Sequence, residues 1–232
     1  MKTSIKSLAI AIIAVPSIMC FSNNVTAQDD MPSDKMKMKD DKMKMKDDKV
    51  KMKMKDDKVK MKMDMMEMKS WPMASQMAVK DMMTKYGKPD EATPTMMAWN
   101  NKGPWAKTVV FKQEYQHNFP MPHTDLLQQW VGLKVPSDKL NDLAKYDGSV
   151  VVERTTGMIS ARCDKEGANF LALNLAHDII MGKRTVEDAR QMYGQEIMKM
   201  KAGQMTEYTK GLMFTSNSNA SDPDMALDKK GM

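Results

Sequence analysis

The residues best suited to chemistry in this sequence lie together in a proline-rich loop. His117, Met121 and His123 supply two imidazoles and a thioether, and Asp125 adds a carboxylate just beyond them. All of these groups are metal ligands, and the thioether favours a soft ion such as copper. The spacing differs from tight motifs such as H-x-x-x-H, so the sequence leaves open whether both rings face one point. We predict a candidate metal site at His117, Met121 and His123, with an ordinary surface loop as the alternative.

A second group of candidate ligands is a methionine cluster at the end of a low-complexity segment. The run MDMMEM over residues 63–68 resembles the methionine clusters of copper-trafficking proteins. Thioether sulfurs are soft ligands that favour Cu(I), whereas the lysines between the other methionines repel a cation. Copper, the one cofactor that the sequence suggests, and a simple solvated spacer both stay open. The predicted ligands are Met63, Met65, Met66 and Met68.

Cys163 and His177 are a thiol and an imidazole that could act together in nucleophilic catalysis. Nothing in the sequence brings the two side chains within hydrogen-bond distance, so a packed thiol and a satisfied histidine are the alternative. The sequence contains neither a Gly-rich phosphate loop nor a nucleophile elbow. It therefore predicts no catalytic residues and favours a protein that is not an enzyme.

The charge pattern bears on the possible partners. The formal net charge of +6 is modest for 232 residues, and lysine and aspartate are interleaved, so we expect no nucleic-acid binding. Lysines of the low-complexity segment could touch an anionic membrane or cell-wall surface, although the paired aspartates oppose each approach. Any such contact should weaken with salt. The broader expectation is an unknown partner or surface of the cell envelope.

The first 27 residues have the pattern of a secretory signal peptide. Two lysines precede an apolar run, and residues 25–27 provide the small side chains of a cleavage site. The run is too short to span a bilayer of about 30 Å, so we expect no transmembrane segment after cleavage. The sequence thus predicts a bacterial protein exported to the periplasm or beyond the cell.

Cysteine usage fits this expectation. Of the two cysteines, Cys20 falls within the predicted signal peptide, and the bulky Met19 before it argues against lipidation. Cleavage after Ala27 would leave Cys163 as the sole cysteine, which excludes an intramolecular disulfide. Core packing must then hold the fold.

Residues 28–69 form a low-complexity arm in which lysine and methionine alternate between paired aspartates. This alternation spreads methionine over every face of a helix and makes a strand a lone amphipathic ribbon. Ordering the backbone costs about 1–2 kcal/mol per residue, and the arm has too little apolar surface to offset that cost. We predict that the arm is disordered and extended.

Residues 70–214 are predicted to form one α+β domain, and residues 215–232 a disordered polar tail. The centre of the domain is the stretch 148–181, where a hairpin precedes a helix that is apolar on most faces. Antiparallel hairpins pack with about four helices. The predicted helices cover residues 73–86, 138–146, 165–181 and 186–201. The predicted strands cover residues 95–100, 105–115, 127–135, 150–154 and 158–163.

Several segments between residues 85 and 214 together resemble an exported bacterial domain family. These segments are YGKPDEAT, GPWAKTVVF, HNFPMPHTD, KYDGSVVVERTTG, ARCDKEGANFLALNLAHDI and EDARQMY. The family consists of hypothetical proteins with no known activity, so the resemblance implies a single domain and carries no functional residues. The arm lies outside it.

These features together predict an exported binding or structural module of the cell envelope that is not an enzyme. The alternative is a periplasmic Cu(I)-binding protein that uses the methionine-rich arm and the loop from His117 to His123. The two hypotheses differ in which ligand atoms must converge in the folded protein.

Overall fold

The computed structural model describes residues 42–53, 55, 68–217 and 224–227. The predicted signal peptide lies outside the described residues, as do Met63, Met65 and Met66. The chain divides into two compact units, Met1–Lys53 and Met54–Met232, each of which is described by itself. Over the described residues, no helix combines the length and apolar character needed to cross a membrane.

Residues 42–53 of the arm are helical, where the sequence predicts an extended chain. Every one of these side chains is exposed, so the helix buries no apolar face. Lysine and methionine have high intrinsic helix propensity, and this preference accounts for the local structure. Neither the period of the alternation nor the lack of burial indicates this preference, which is why the prediction for this segment differs from the structure.

The larger unit contains one antiparallel sheet of six strands, which lie across the sheet in the order first, second, third, fourth, sixth and fifth along the chain. Together with the helices it confirms the predicted α+β class. The strands are β1 (Glu91–Ala92), β2 (Met96–Lys102), β3 (Trp105–His117), β4 (His123–Gly132), β5 (Val150–Glu153) and β6 (Met158–Cys163).

The helices follow the prediction closely. A 3-10 turn over Ser137–Lys139 leads into the helix Leu140–Tyr146. Thr185 caps the helix Val186–Lys201 by accepting a hydrogen bond from the Asp188 backbone N–H, as its sequence position predicts. The short helix α5 was not predicted. The helices are α1 (Met73–Tyr86), α2 (Leu140–Tyr146), α3 (Glu166–Ile180), α4 (Val186–Lys201) and α5 (Glu207–Lys210).

The helix α3 forms the centre of the main core, as the apolar pattern of its sequence predicts. It packs on β6 and is flanked by α4 and α5. Leu171, Leu173 and Leu175 are fully buried, and Phe170 stacks on Trp105 with ring centroids 4.7 Å apart. Burying each leucine stabilises the fold by about 1.5–3 kcal/mol, so no disulfide is needed to hold this element.

A second core cluster lies between α1 and the strands β2, β3 and β4. Val79 of α1 is fully buried against Trp99 and Val110. Met68 and Trp71, which precede α1, belong to the same cluster. The packed part of the chain therefore begins before residue 70, the predicted domain start.

The segment of residues 208–217 is attached more firmly than the sequence predicts. The buried amide of Asn174 donates to the carbonyls of Tyr208 and Gly211 and accepts a hydrogen bond from the Met213 backbone N–H. Ser216 exchanges hydrogen bonds with the Gly132 backbone. These bonds carry the packed domain through to residue 217, past the predicted boundary at residue 214.

The hairpin β3–β4 shows the main correction to the predicted strands. The second strand starts at His123 and ends at Gly132, whereas the prediction places it over residues 127–135. The first strand continues to His117, past the predicted end at residue 115. Both histidines of the predicted loop thus lie at strand ends, where backbone pairing fixes their positions.

Candidate metal centre

His117 and His123 face each other across the mouth of the β3–β4 hairpin. They are direct partners in the strand register, and their ring centroids are 4.9 Å apart. Directly opposed residues of an antiparallel pair project to the same face of the sheet. The proline-rich loop between them therefore brings the two imidazoles together, which the sequence left open.

The loop itself is clamped by α4. The Phe119 ring lies 5.2 Å from the Tyr193 ring, and the Arg190 guanidinium stacks over Phe119 at 3.8 Å. Arg190 also donates hydrogen bonds to the backbone carbonyls at the end of α2. The loop is thus held by packing on α4, which Arg190 in turn bonds to the end of α2, and this limits movement of the histidines at the base of the loop.

Asp125 completes a cluster with the two imidazoles. It follows His123 by two positions on β4, so both side chains project to one face. Asp125 Oδ1 lies 3.1 Å from His123 Nε2, and Oδ2 lies 3.4 Å from His117 Nδ1. One ligand atom from each of the three residues falls within 4.8 Å of the others. This separation is compatible with a single bound cation.

The Asp125 carboxylate is buried and only partly satisfied. Among the described residues, Oδ2 accepts a hydrogen bond from the Ser149 hydroxyl, whereas Oδ1 has no hydrogen-bond donor. The neighbouring His123 Nε2 is close enough, but its N–H direction does not give hydrogen-bond geometry. Oδ1 therefore has an ionic contact with His123 but no well-aligned hydrogen bond, which is an incomplete environment for a buried carboxylate oxygen.

The orientation of His123 is set by the backbone of the loop. Its Nδ1 lies 2.9 Å from the Met121 carbonyl oxygen, which can only accept, so Nδ1 carries a hydrogen. This arrangement directs Nε2 toward Asp125, as in metal sites where a carbonyl orients the ligating imidazole. The Asp125 carboxylate favours the imidazolium and raises the pKa of His123 to about 11. A metal ion binding there must displace the Nε2 proton.

Asp147 and Ser149 surround the cluster from the connection between α2 and β5. Asp147 Oδ1 lies 3.7 Å from His117 Nε2 and accepts a 2.8 Å hydrogen bond from the Ser149 backbone N–H. Burial raises the pKa of Asp147. The Ser149 hydroxyl lies 3.3 Å from His117 Nδ1. Sequence reasoning missed both residues because only the pairing of β5 beside β6 brings them to the hairpin.

Met121 does not contribute its sulfur in the predicted way. Its carbonyl orients His123, while its Sδ lies 2.7 Å from the Lys201 ammonium. A thioether beside a lysine is poorly placed to bind a second cation. Met68, another predicted ligand, is 4% exposed and packs in the second core cluster. A buried core methionine cannot form part of an exposed ligand array.

Cys163 lies beside His123, and the structure does not pair it with His177. The His177 ring instead stacks on Phe214 with centroids 4.6 Å apart. Burial raises the pKa of the Cys163 thiol, and the contact with His123 offsets this rise only in part. The thiol is therefore protonated at neutral pH and is a poor nucleophile.

A second buried carboxylate, Glu166 at the start of α3, has the opposite surroundings. Its Oε1 accepts hydrogen bonds from Tyr86, from Trp105 Nε1 at 2.6 Å and from Gln129 Nε2 at 3.2 Å, and its Oε2 accepts one from Lys85. Burial alone would raise the pKa of Glu166, but these donors outweigh it and lower the pKa. With both oxygens satisfied, Glu166 holds α3 to the sheet and to α1.

Comparisons of this chain with protein-family models, with curated proteins and with solved structures find no match. The resemblance of residues 85–214 to an exported bacterial family therefore stays a prediction. Among the described residues, one cluster of His, Cys, Asp and Glu side chains could hold a metal ion, and it consists of His117, His123 and Asp125.

Proposed function

We propose that this chain is an exported binding protein whose α+β domain holds a divalent transition-metal ion at His117, His123 and Asp125. The observation that carries the proposal is the buried Asp125 Oδ1, which has no hydrogen-bond donor in the described part of the chain although two imidazoles lie beside it. A cation bound between these groups would satisfy that oxygen.

The energetic reason is the cost of an unmatched acceptor. A buried polar atom without a partner costs about 1–3 kcal/mol, and more when it is charged. A bound ion would replace the poorly aligned contact between Asp125 and His123 with two directed bonds. The Met121 carbonyl and the Ser149 hydroxyl already hold the outer atoms of these ligands. Such outer contacts orient ligands before the ion arrives.

The donor atoms favour a particular class of ion. Two imidazole nitrogens and one carboxylate oxygen suit borderline divalent ions such as Zn²⁺ and Cu²⁺, whereas Cu(I) prefers sulfur. The only predicted sulfur ligand in this loop, Met121 Sδ, faces Lys201. At this site the proposal is therefore divalent-ion binding, not the Cu(I) binding that the sequence alone suggested. The predicted Cu(I) ligands Met63, Met65 and Met66 lie outside the described residues.

The test uses the full chain after removal of metal with a chelator. The protein is titrated with Zn²⁺ against a chromophoric chelator, and we expect one site of high affinity. Substituting alanine for His117 or His123 should weaken that site by on the order of 100-fold or more, since even outer contacts contribute 10- to 100-fold. Each variant is checked by circular dichroism and thermal unfolding.

The chain offers a matched control in His177, the third of its three histidines. His177 stacks on Phe214 away from the cluster, so His177→Ala should leave Zn²⁺ affinity unchanged. Equal Zn²⁺ affinity in wild type, His117→Ala and His123→Ala would exclude the proposed site. A loss of similar size in His177→Ala would point to general imidazole binding and would also contradict it.

A further inference from the structure

A groove of about 410 Å³ opens beside the proposed metal site. Its lining includes His117, Asp125 and Ser149 together with Gln128 and Arg162. Two of the three ligands of the proposed ion, His117 and Asp125, therefore share one open space with a guanidinium group. The volume falls in the range of small-molecule sites, so a ligand in the groove can reach both groups.

Arg162 is held in a fixed orientation by a chain of hydrogen bonds. The buried Gln128 donates from Nε2 to the fully buried Ser160 hydroxyl at 2.9 Å, which turns its Oε1 toward Arg162. That oxygen accepts hydrogen bonds from Arg162 Nε at 3.0 Å and Nη2 at 2.5 Å. The guanidinium is thus oriented before any ligand binds, which lowers the entropic cost of binding.

Two aromatic rings pack against the same group. The Arg162 guanidinium lies 4.5 Å from the Phe111 ring centroid and 5.7 Å from that of Tyr115, which also lines the groove. Stacking leaves the in-plane N–H donors free to bind an acceptor. Two of the five donors of the guanidinium point at Gln128, and no hydrogen bond from a described residue occupies the others.

The charge of Arg162 is not neutralised by a carboxylate in the described part of the chain. Arg154 pairs with Asp224 and Arg184 with Asp178, whereas Arg162 bonds the neutral amide oxygen of Gln128. A divalent ion at the proposed site would add further positive charge to the groove. Even with Asp125 and Asp147 ionised, the balance there would favour an anion.

We propose that the groove binds a small oxyanion, a carboxylate or a phosphate, with one oxygen on the metal ion and another on the Arg162 guanidinium. The inference rests on the proposed function, because it places the ligand in a coordination position that His117, His123 and Asp125 leave open. Guanidinium groups bind such oxyanions through paired charge-assisted hydrogen bonds. The protein would then recognise an ion and an anion together.

The test measures anion binding to the full chain loaded with Co²⁺, whose visible spectrum reports a change of ligand. Inorganic phosphate and acetate are titrated separately, which distinguishes the two kinds of oxyanion. Arg162→Met should weaken binding of the preferred anion by about tenfold or more, since it removes charge-assisted hydrogen bonds. Its affinity for Co²⁺ itself should stay within about threefold of wild type, because no hydrogen bond joins Arg162 to the three ligands.

Two further variants serve as controls for the effect of Arg162→Met on anion binding. Arg154→Met removes an arginine that pairs with Asp224 outside the groove, and it should leave anion binding unchanged. Arg162→Lys keeps the charge but loses the planar fork, and it should bind the anion with intermediate affinity. Circular dichroism confirms that each variant is folded.

The outcomes separate the two proposals. Failure of the wild type to bind Co²⁺ or Zn²⁺ would exclude the metal site itself. Metal binding without a spectral response to either anion would overturn the anion site alone, as would equal anion affinity in wild type and Arg162→Met. Equal anion affinity with and without metal, or an equal loss in Arg154→Met, would overturn it too, because the groove requires the ion and Arg162 specifically.

Discussion

Two buried carboxylates of the same domain, Glu166 and Asp125, have opposite hydrogen-bonding environments. Both oxygens of Glu166 accept hydrogen bonds from side chains of α1 and the sheet. Asp125 lies between two imidazoles, and its Oδ1 has no donor among the described residues. The hydrogen-bonding capacity of Glu166 is met within the folded protein, whereas Asp125 has an oxygen whose hydrogen-bonding capacity is not met by the described residues.

The difference shows how to separate structural carboxylates from candidate sites. Burial and nearby charged groups are common to both, so neither feature alone identifies a binding site. The number of donors that face each oxygen does distinguish them. Glu166 stabilises the fold by accepting hydrogen bonds from four neighbouring side chains. Asp125 has an oxygen that a bound cation could coordinate.

The largest effect that would test this comparison is the loss of stability in Glu166→Ala. The substitution leaves the buried Trp105 N–H without its acceptor and the Gln129 amide with only its bond to Thr108, and we expect a loss of about 3 kcal/mol in the free energy of unfolding. Lys85 is half exposed and contributes little to this figure. Urea unfolding of the metal-free protein measures it.

Glu166→Gln is the matched control for that prediction, since it keeps one acceptor oxygen in nearly the same place. It should lose less stability than Glu166→Ala. A Glu166→Ala protein whose unfolding free energy stays within about 0.5 kcal/mol of wild type would show that the donors around Glu166 find other partners. The contrast with Asp125 would then disappear.

Local sequence signals were sufficient to predict most of the scaffold that carries the two carboxylates. The apolar periodicity of α3 and the cap at Thr185 identified their helices, and the turn at Gly157 identified the β5–β6 hairpin. These signals act over a few residues. They therefore predict elements well without saying which side chains from distant elements will meet.

The candidate site could be predicted only in part for that reason. His117 and His123 were recognised by residue type, but the polar start of β4 lacks the apolar alternation of a strand, so their pairing was missed. Asp147 and Ser149 reach the cluster through the order of β4, β6 and β5, which no local pattern encodes. Met68 was predicted to be an exposed ligand because it ends a methionine-rich segment, and the composition of that segment gives no sign that Met68 is buried.

A second prediction sharpens the comparison at Asp125. Asp125→Asn should cost the metal-free protein less unfolding free energy than Glu166→Ala does, because it removes the ionic contact of Oδ1 with His123 but keeps the bond that Oδ2 accepts from Ser149. The same substitution should abolish stabilisation by Zn²⁺. In wild type that stabilisation is about 2.7 kcal/mol when the free ion is at 100 times its dissociation constant.

Thermal and urea unfolding with and without Zn²⁺ measure both parts of this prediction. Ser149→Ala, which removes the hydroxyl donor to Oδ2, serves as the comparison variant and should weaken Zn²⁺ binding by about 10- to 100-fold without abolishing it. A loss of stability in metal-free Asp125→Asn as large as that of Glu166→Ala would mean that Asp125 is a structural carboxylate. The distinction between the two residues would fail.

The smallest expected effect is the pH dependence that Glu166 imparts to stability. Its hydrogen bonds lower its pKa in the folded protein below the ordinary value of 4.5, so the unfolded chain binds a proton at a higher pH than the folded one does. The contribution of Glu166 to stability is thus fully present above the unfolded pKa and is lost as the pH falls through the folded pKa.

Other carboxylates also titrate in this range, so the measurement compares wild type with Glu166→Gln in urea unfolding at successive pH values. We expect the stability difference between the two proteins to shrink as the pH falls below about 4.5 and to be constant above it. A difference that is independent of pH across this window would show that the donors around Glu166 do not favour its ionised form.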